Sequence, residues 1–274
     1  MLKVFYLFFI KGELVERITS KKNQNIIYIN KLNRSNSFRK ENNCFVLEGI
    51  KLISEAVLNG FLPLSPLYIT EKALNKKAEI INEYFKNFKK IVISEEISSH
   101  ISDNKASQGM FCIFKAVDKN KNYDKIINGS RLIILDGLQD TGNVGAIFRT
   151  AEAFGFDGIL LSDDSVDLYS PKLIRASMGS VLRIPCIRND LITEIKLLKD
   201  KSMRIIGSIL DKNAVSLKDY SFPEKSAIII GSEGRGITDK IKALCDDMIF
   251  IEISNTQSLN AAIAAAIFCW EMSR

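Results

Sequence analysis

Histidine is nearly missing from this chain: of 274 residues, only His100 carries an imidazole. The cysteines stand far apart, at 44, 112, 186, 245 and 269, and no two are spaced CxxC. Without clustered His or Cys there is no ligand set for a Cys/His metal site, so no metal is expected. Five thiols, an odd number in apolar surroundings, read as buried and reduced, which points to a cytoplasmic protein. Long hydrophobic runs are lacking as well. Residues 4–10 are strongly apolar, but a run of seven bracketed by Lys3 and Lys11 is too short to span a bilayer. No small-residue cleavage site follows it, so the run reads as an extension and not as a secretion signal. Neither G-x-G-x-x-G nor G-x-x-x-x-G-K-[ST] occurs at the glycine-rich turns, which argues against the usual dinucleotide and phosphate loops. Internal repeats and extended low-complexity tracts are also missing.

What is present is the composition of a globular protein, 46% hydrophobic and 26% charged. The formal charge of +6 is unevenly spread. Residues 1–125 hold 21 Lys and Arg against 13 Asp and Glu, a net of +8, whereas residues 126–274 hold 17 against 19, a net of −2. A basic first half suits a polyanion, although a lysine-rich surface is also simply solubilising. The near-neutral second half suits chemistry.

In the first half, short apolar runs at 44–47, 67–69, 90–94 and 110–117 read as strands, with helices at 49–58, 76–85 and 97–103. Residues 34–43 read as a polar loop. This is a compact α/β domain over residues 17–117. Residues 118–130, charged and closed by a glycine, read as a linker. Over 130–274, strands at 132–135, 158–161, 182–187, 205–209, 227–230 and 248–251 alternate with helical stretches. Such alternation predicts an open, mostly parallel α/β sheet with helices on both faces.

Three stretches of the second domain draw the eye. In LDGLQDTGNVGAIFRTAEAFG (135–155) a strand ends in Asp136-Gly137, capping residues follow, and Val144, Ile147, Phe148 and Ala151 form one helical face. The polar residues left over are Asn143 and Arg149. In isolation, Asn143 is explained as a cap and Arg149 as a solvated charge. In AIIIGSEGRGIT (227–238) three glycines surround Glu233, allowing backbone to approach a ligand, or merely making a tight turn. In IFIEISNTQSLNAAIAAAIFCW (249–270) Ser258 and Asn260 flank Leu259 at the mouth of an alanine-rich helix.

Taken together, DGLQDTGNVGAIFRTAEAFG, GSEGRG and SLNAAIAAAI resemble, in order and spacing, the three signature motifs of the SpoU/TrmH family. SPKLIRASMGSVLRIPC (170–186) also resembles a family segment, and residues 17–115, above all FVLEGIKLISEA, resemble the L30e-like RNA-binding module that many members carry. The resemblance implies a trefoil-knotted α/β domain that transfers a methyl group from S-adenosylmethionine to an RNA ribose 2′-hydroxyl, most often as a homodimer whose subunits complete each other's site. By motif, backbone around Gly231, Ile251 and Leu259 would hold the cofactor. Asn143, Arg149, Glu233, Ser258 and Asn260 would meet RNA and cofactor. Arg34, Arg39 and Lys40 are the expected phosphate contacts of the first domain, and ribosomal RNA is the expected substrate in preference to transfer RNA. Two departures stand out: Glu252 and Asn255 replace a common Pro and Gly in a shortened loop, and Thr141 stands where Pro is frequent.

The chemistry leaves the base open. No histidine lies in these motifs, and a guanidinium stays protonated at ordinary pH. Arg149 would either hold a substrate phosphate that assists deprotonation or stabilise the developing alkoxide. An alternative reading, a catalytically silent RNA-binding protein on the same fold, would be expected to have lost Asn143, Arg149 or Asn260. None is lost.

Overall fold

The computed structural model describes residues 6–10, 13–104, 106–116, 119–211, 214–255 and 257–274. The chain divides into two compact units, one running to Ala116 and including Tyr169–Pro171, the other formed by Val117–Leu168 and Lys172–Arg274.

In the first unit the strands are β1 (Tyr6–Ile10), β2 (Glu13–Ile18), β3 (Cys44–Glu48), β4 (Leu67–Thr70), β5 (Lys90–Ile93) and β6 (Met110–Lys115). Among the described residues they form a mixed sheet in the order β1-β2-β5-β4-β6-β3. The apolar run at the N-terminus is thus, from Tyr6 on, a strand paired antiparallel with β2, and its first residues lie outside those described. The polar stretch 34–43 is no loop: α1 (Gln24–Arg34) is followed directly by α2 (Asn36–Asn42). Ser35 makes this possible, since its side chain accepts from Phe38 N at 3.2 Å and caps the new helix. Phe38 then packs edge-on against Tyr28 of α1. The helix expected at 76–85 is two short ones with α3 (Ile50–Leu58) before them, α4 (Glu71–Lys76) and α5 (Ala78–Tyr84), and α6 (Glu95–Ile101) follows. Ile26, Ile29 and Leu32 of α1 are fully buried against the strands, as their spacing requires.

The supposed linker also folds. α7 (Lys119–Ile127) belongs to the second unit, where Tyr123, Ile126 and Ile127 pack into its core. The charged composition of this stretch hides a short apolar face. Its strands are β7 (Arg131–Asp136), β8 (Gly158–Leu161), β9 (Cys186–Arg188), β10 (Arg204–Ser208), β11 (Val215–Ser216), β12 (Ser226–Gly231) and β13 (Asp247–Phe250). The order is β11-β13-β10-β12-β7-β8-β9, and every pairing among the described residues is parallel. Parallel neighbours need crossovers, which here include α8 (Thr141–Ala153), α9 (Pro171–Ala176), α10 (Leu191–Asp200) and α11 (Asp239–Lys242), while α12 (Ala261–Ser273) follows the last strand. Residues 182–187, expected as a strand, begin in a 3-10 turn (Ser180–Leu182), so only Cys186–Arg188 pairs. Residues 132–135 and 227–230 are buried throughout, as in a sheet covered on both faces. From β7 the chain winds outward through β8 and β9, then returns to the other side through β10 and β12. β7 and β12 therefore flank a topological switch point, and a cavity opens beyond the C-terminal ends of β12 and its other neighbour β10.

Candidate active site

The loops beyond those strand ends carry the polar residues singled out above. β7 ends in Asp136 and Gly137, and Asp140 then caps α8 by accepting from Asn143 N at 2.8 Å. Val144, Ile147, Phe148 and Ala151 hold α8 to the core, leaving the Asn143 side chain to reach the loops of the other two motifs. β12 ends in Gly231, and a tight turn follows in which Ser232 and Gly236 pair. The approach is so close that a Cβ on Gly231 would lie 2.1 Å from the Gly236 carbonyl carbon. At the third motif Asn260 caps α12, its Oδ1 accepting from Ala262 N at 3.0 Å and Ile263 N at 3.3 Å.

The three side chains meet. Asn260 Nδ2 donates to Asn143 Oδ1 at 2.9 Å, and Asn143 Nδ2 donates to Glu233 Oε1. A continuous hydrogen-bonded chain thus joins residues that lie far apart in sequence. Beside it is a cavity of about 340 Å³. Gly231, Glu233, Ile251, Ser258 and Leu259 all line it. Its walls also include Ser208, Ile209 and Leu210 at the end of β10, Lys242 of α11 and Phe268 of α12. The sequence reading missed these. The one available signal was that β10 ends beside β12, which is a fact of pairing and not of composition. Glu252, in place of the common proline, points to neither cavity nor chain. It pairs with Lys218 and accepts from Ser216 Oγ at 2.9 Å, tying down the segment after β11.

Arg149 is not part of this chain. It is exposed in the third turn of α8, about 120° round the helix from Asn143, and has no hydrogen-bond or ion-pair partner among the described residues. In the first unit, Arg34 and Lys40 are exposed. Arg39 is a correction. Its side chain is 7% exposed and donates to the carbonyl of Leu32, satisfying the end of α1, so it is out of reach of a phosphate. Among the described residues no group of three His, Cys, Asp or Glu side chains could hold a metal ion, and no helix is long and apolar enough to cross a membrane.

Comparison with known proteins turns on this second unit. The SpoU rRNA Methylase family model matches residues 130–270. The chain belongs to this family. An MRM3-like substrate binding domain model matches residues 23–112, so both units of this SpoU protein have counterparts. The chain is 26% identical, over 94% of its length and 99% of the relative's, to the 23S rRNA (guanosine(2553)-2'-O)-methyltransferase RlmP of Bacillus subtilis. It is 31% identical to a TrmH family tRNA/rRNA methyltransferase of Staphylococcus aureus, over 84% of this chain and 95% of the other. Among solved structures, the AdoMet-bound rRNA methyltransferase of Sinorhizobium meliloti superposes with a TM-score of 0.80 at 25% identity, covering 94% of this SpoU chain and 97% of that one. Of the three motifs of the SpoU chain, the second and third line the cavity, and the first is joined to them through the hydrogen bonds of Asn143.

Proposed function

We propose that this protein transfers a methyl group from S-adenosylmethionine to a ribose 2′-hydroxyl of ribosomal RNA, with the cavity beyond β12 and β10 at the active site. The observation that carries this reading is the chain Glu233–Asn143–Asn260, whose Glu233 lines the cavity and whose Asn260 stands between the lining residues Leu259 and Ala261. The cavity fits the cofactor: it is large enough for a nucleoside with an amino-acid tail, and the backbone of Gly231, Ile251 and Leu259 offers amides and carbonyls at its wall. When bound, S-adenosylmethionine supplies an electrophilic methyl group on a sulfonium.

The rest is done by the chain. Ile209, Ile230, Ile251 and Phe268 give the cavity apolar walls, and an in-line displacement that neutralises charge gains most from fixed orientation. Asn143, Ser258 and Asn260 position the ribose, and Glu233 orients Asn143. The hydroxyl proton leaves toward a phosphate held by the Arg149 fork, since the guanidinium itself does not act as a base at ordinary pH.

A second copy of the chain belongs to this reading. α12 is apolar all round, yet Ile263 and Trp270, seven residues apart on one stripe, are 55% and 54% exposed. In a homodimer the second copy covers that stripe and brings an Arg149 to the neighbouring site. The return of α12 onto α8 and β12 after β13 supports a trefoil knot in the second unit. The mixed sheet of the first unit and the match over 23–112 support an L30e-like RNA-binding module. Exposed Arg34 and Lys40 are its phosphate contacts, and five free thiols suit the cytoplasm, where ribosomal RNA is modified.

Calorimetric titration with S-adenosylmethionine and with NAD tests the cofactor. Saturable binding of the first alone is expected, and binding of NAD alone would remove the proposal. Mass spectrometry of ribosomal and transfer RNA from cells with and without the gene identifies the modified ribose.

A further inference from the structure

The turn that carries Glu233 has little to hold it still. Gly234 at its tip has no neighbour within 4 Å of a Cβ position, and Gly236 closes it at φ +67°. Among the described residues the turn has one internal backbone hydrogen bond, from Gly236 N to Ser232 O, and it is anchored at its two ends, by β12 and by buried Ile237, so its tip relies on side chains. Its two side chains at the tip diverge. Glu233 reaches Asn143 on α8, while Arg235 donates through Nη2 to Asp164 Oδ2 at 2.7 Å, beyond the end of β8. On the way the guanidinium lies across Gly137, where a Cβ would be 2.1 Å from Nη2, and it comes within 4.0 Å of the buried Asp136 carboxylate.

The receiving end is built, too. Asp164 Oδ1 accepts from Ser162 Oγ at 2.6 Å, and Ser162 Oγ accepts from Gly137 N at 2.8 Å. That serine hydrogen bond first, then the guanidinium, hold the Asp164 carboxyl below its ordinary pKa. Asp136 in turn accepts from Thr238 N at 2.7 Å, just after the turn. The loops after β7, β8 and β12 thus converge on one guanidinium.

We infer that Arg235 is a positioning residue for methyl transfer: bridged to Asp164 across Gly137, it braces the turn so that Glu233 holds the Asn143 carboxamide in place. The two side chains thus tie the turn to two different loops, the start of α8 and the end of β8. This rests on the assignment of Asn143 and Glu233 to the site. The competing role for Arg235, half-exposed beside the cavity, is direct contact with an RNA phosphate.

The test uses the full chain with S-adenosylmethionine and an unmodified 23S ribosomal RNA transcript, both saturating, in single-turnover assays. Arg235→Ala and Asp164→Asn should each slow the rate by about ten- to a hundredfold, the scale of a misplaced reacting group. RNA affinity and melting temperature should change little in both. The exchange Arg235→Asp with Asp164→Arg should recover part of the rate, which lost packing alone would not allow. Glu233→Gln is the control for the underlying assignment. If it is slow while Arg235→Ala and Asp164→Asn run at the wild-type rate, the brace is overturned and the site stands. If Glu233→Gln and Asn143→Ala both run at the wild-type rate, the site assignment itself falls. If Arg235→Ala weakens RNA binding and Asp164→Asn strengthens it with no loss of rate, Arg235 is a phosphate contact and the brace is again overturned.

Discussion

Asn260 Nδ2 donates to Asn143 Oδ1 at 2.9 Å, and the direction of that bond is fixed from behind. Asn260 Oδ1 is committed to two backbone amides at the start of α12, so only its amino group faces Asn143. Asn143 must therefore present its own amino group to Glu233. The polarity of a helix N-terminus is relayed through two carboxamides to a carboxylate.

Asn260→Asp separates the cap from the relay. An aspartate still accepts from the first-turn amides, and its charge suits a helix N-terminus, so thermal stability should hold or rise. It has no proton to give Asn143, so the single-turnover rate should fall by about tenfold or more. Asn260→Ala should lower both, with about 1 kcal/mol of stability lost with the cap. Melting curves and rates on the pair check this, and an unimpaired rate in Asn260→Asp would show that the relay has no role in transfer.

Arg149→Ala should abolish methyl transfer at little cost in stability, within about 0.5 kcal/mol, because the side chain is exposed and unpartnered among the described residues. The barrier should rise by about 3–4 kcal/mol if the loss resembles that of a preorganised charge-stabilising donor. Arg149→Lys keeps the charge without the planar fork. A rate as poor as alanine's supports a phosphate held by the fork, whereas substantial recovery means that charge alone suffices.

The basic residues Arg34 of α1 and Arg39 and Lys40 of α2 should not all behave alike. Arg39→Ala should cost about 2–3 kcal/mol, since it strips a buried hydrogen bond from the end of α1, and should leave the salt dependence of RNA binding unchanged. Arg34→Glu and Lys40→Glu should leave the melting temperature near wild type and flatten the salt dependence, by about 0.7–0.9 in slope for each phosphate no longer neutralised. Binding isotherms at several salt concentrations, beside denaturant melts, distinguish the two behaviours.

Thr141→Pro should stabilise the protein by about 0.5–1 kcal/mol. Thr141 is the first residue of α8, where the amide has no partner within the helix and proline is favoured. Asp140 before it is extended, at φ −75° and ψ 116°, as a residue preceding proline prefers to be. The substitution also removes a buried hydroxyl oxygen that has no partner among the described residues. Chemical denaturation checks this, and a loss of stability would mean that the hydroxyl is satisfied by something outside the chain.

The sequence by itself determined most of the central strands and the face of α8, because burial periodicity is a local property: residues 132–135 and the stripe Val144, Ile147, Phe148 and Ala151 read directly as buried. It also placed Asn143, Glu233 and Asn260 in turns and caps at strand ends, and the structure brings the three into contact. It misjudged residues 34–43 and 118–130, where polar composition concealed short helices whose few apolar residues find their partners only in a core. It mistook Arg39 for a surface charge, since burial of a guanidinium depends on a carbonyl seven residues away being presented to it. Tertiary structure alone decided the direction of the relay and the crossing of Arg235 over Gly137. Each depends on which strand lies beside which in a parallel sheet, and residues 90 or 117 positions apart carry no local signal of meeting.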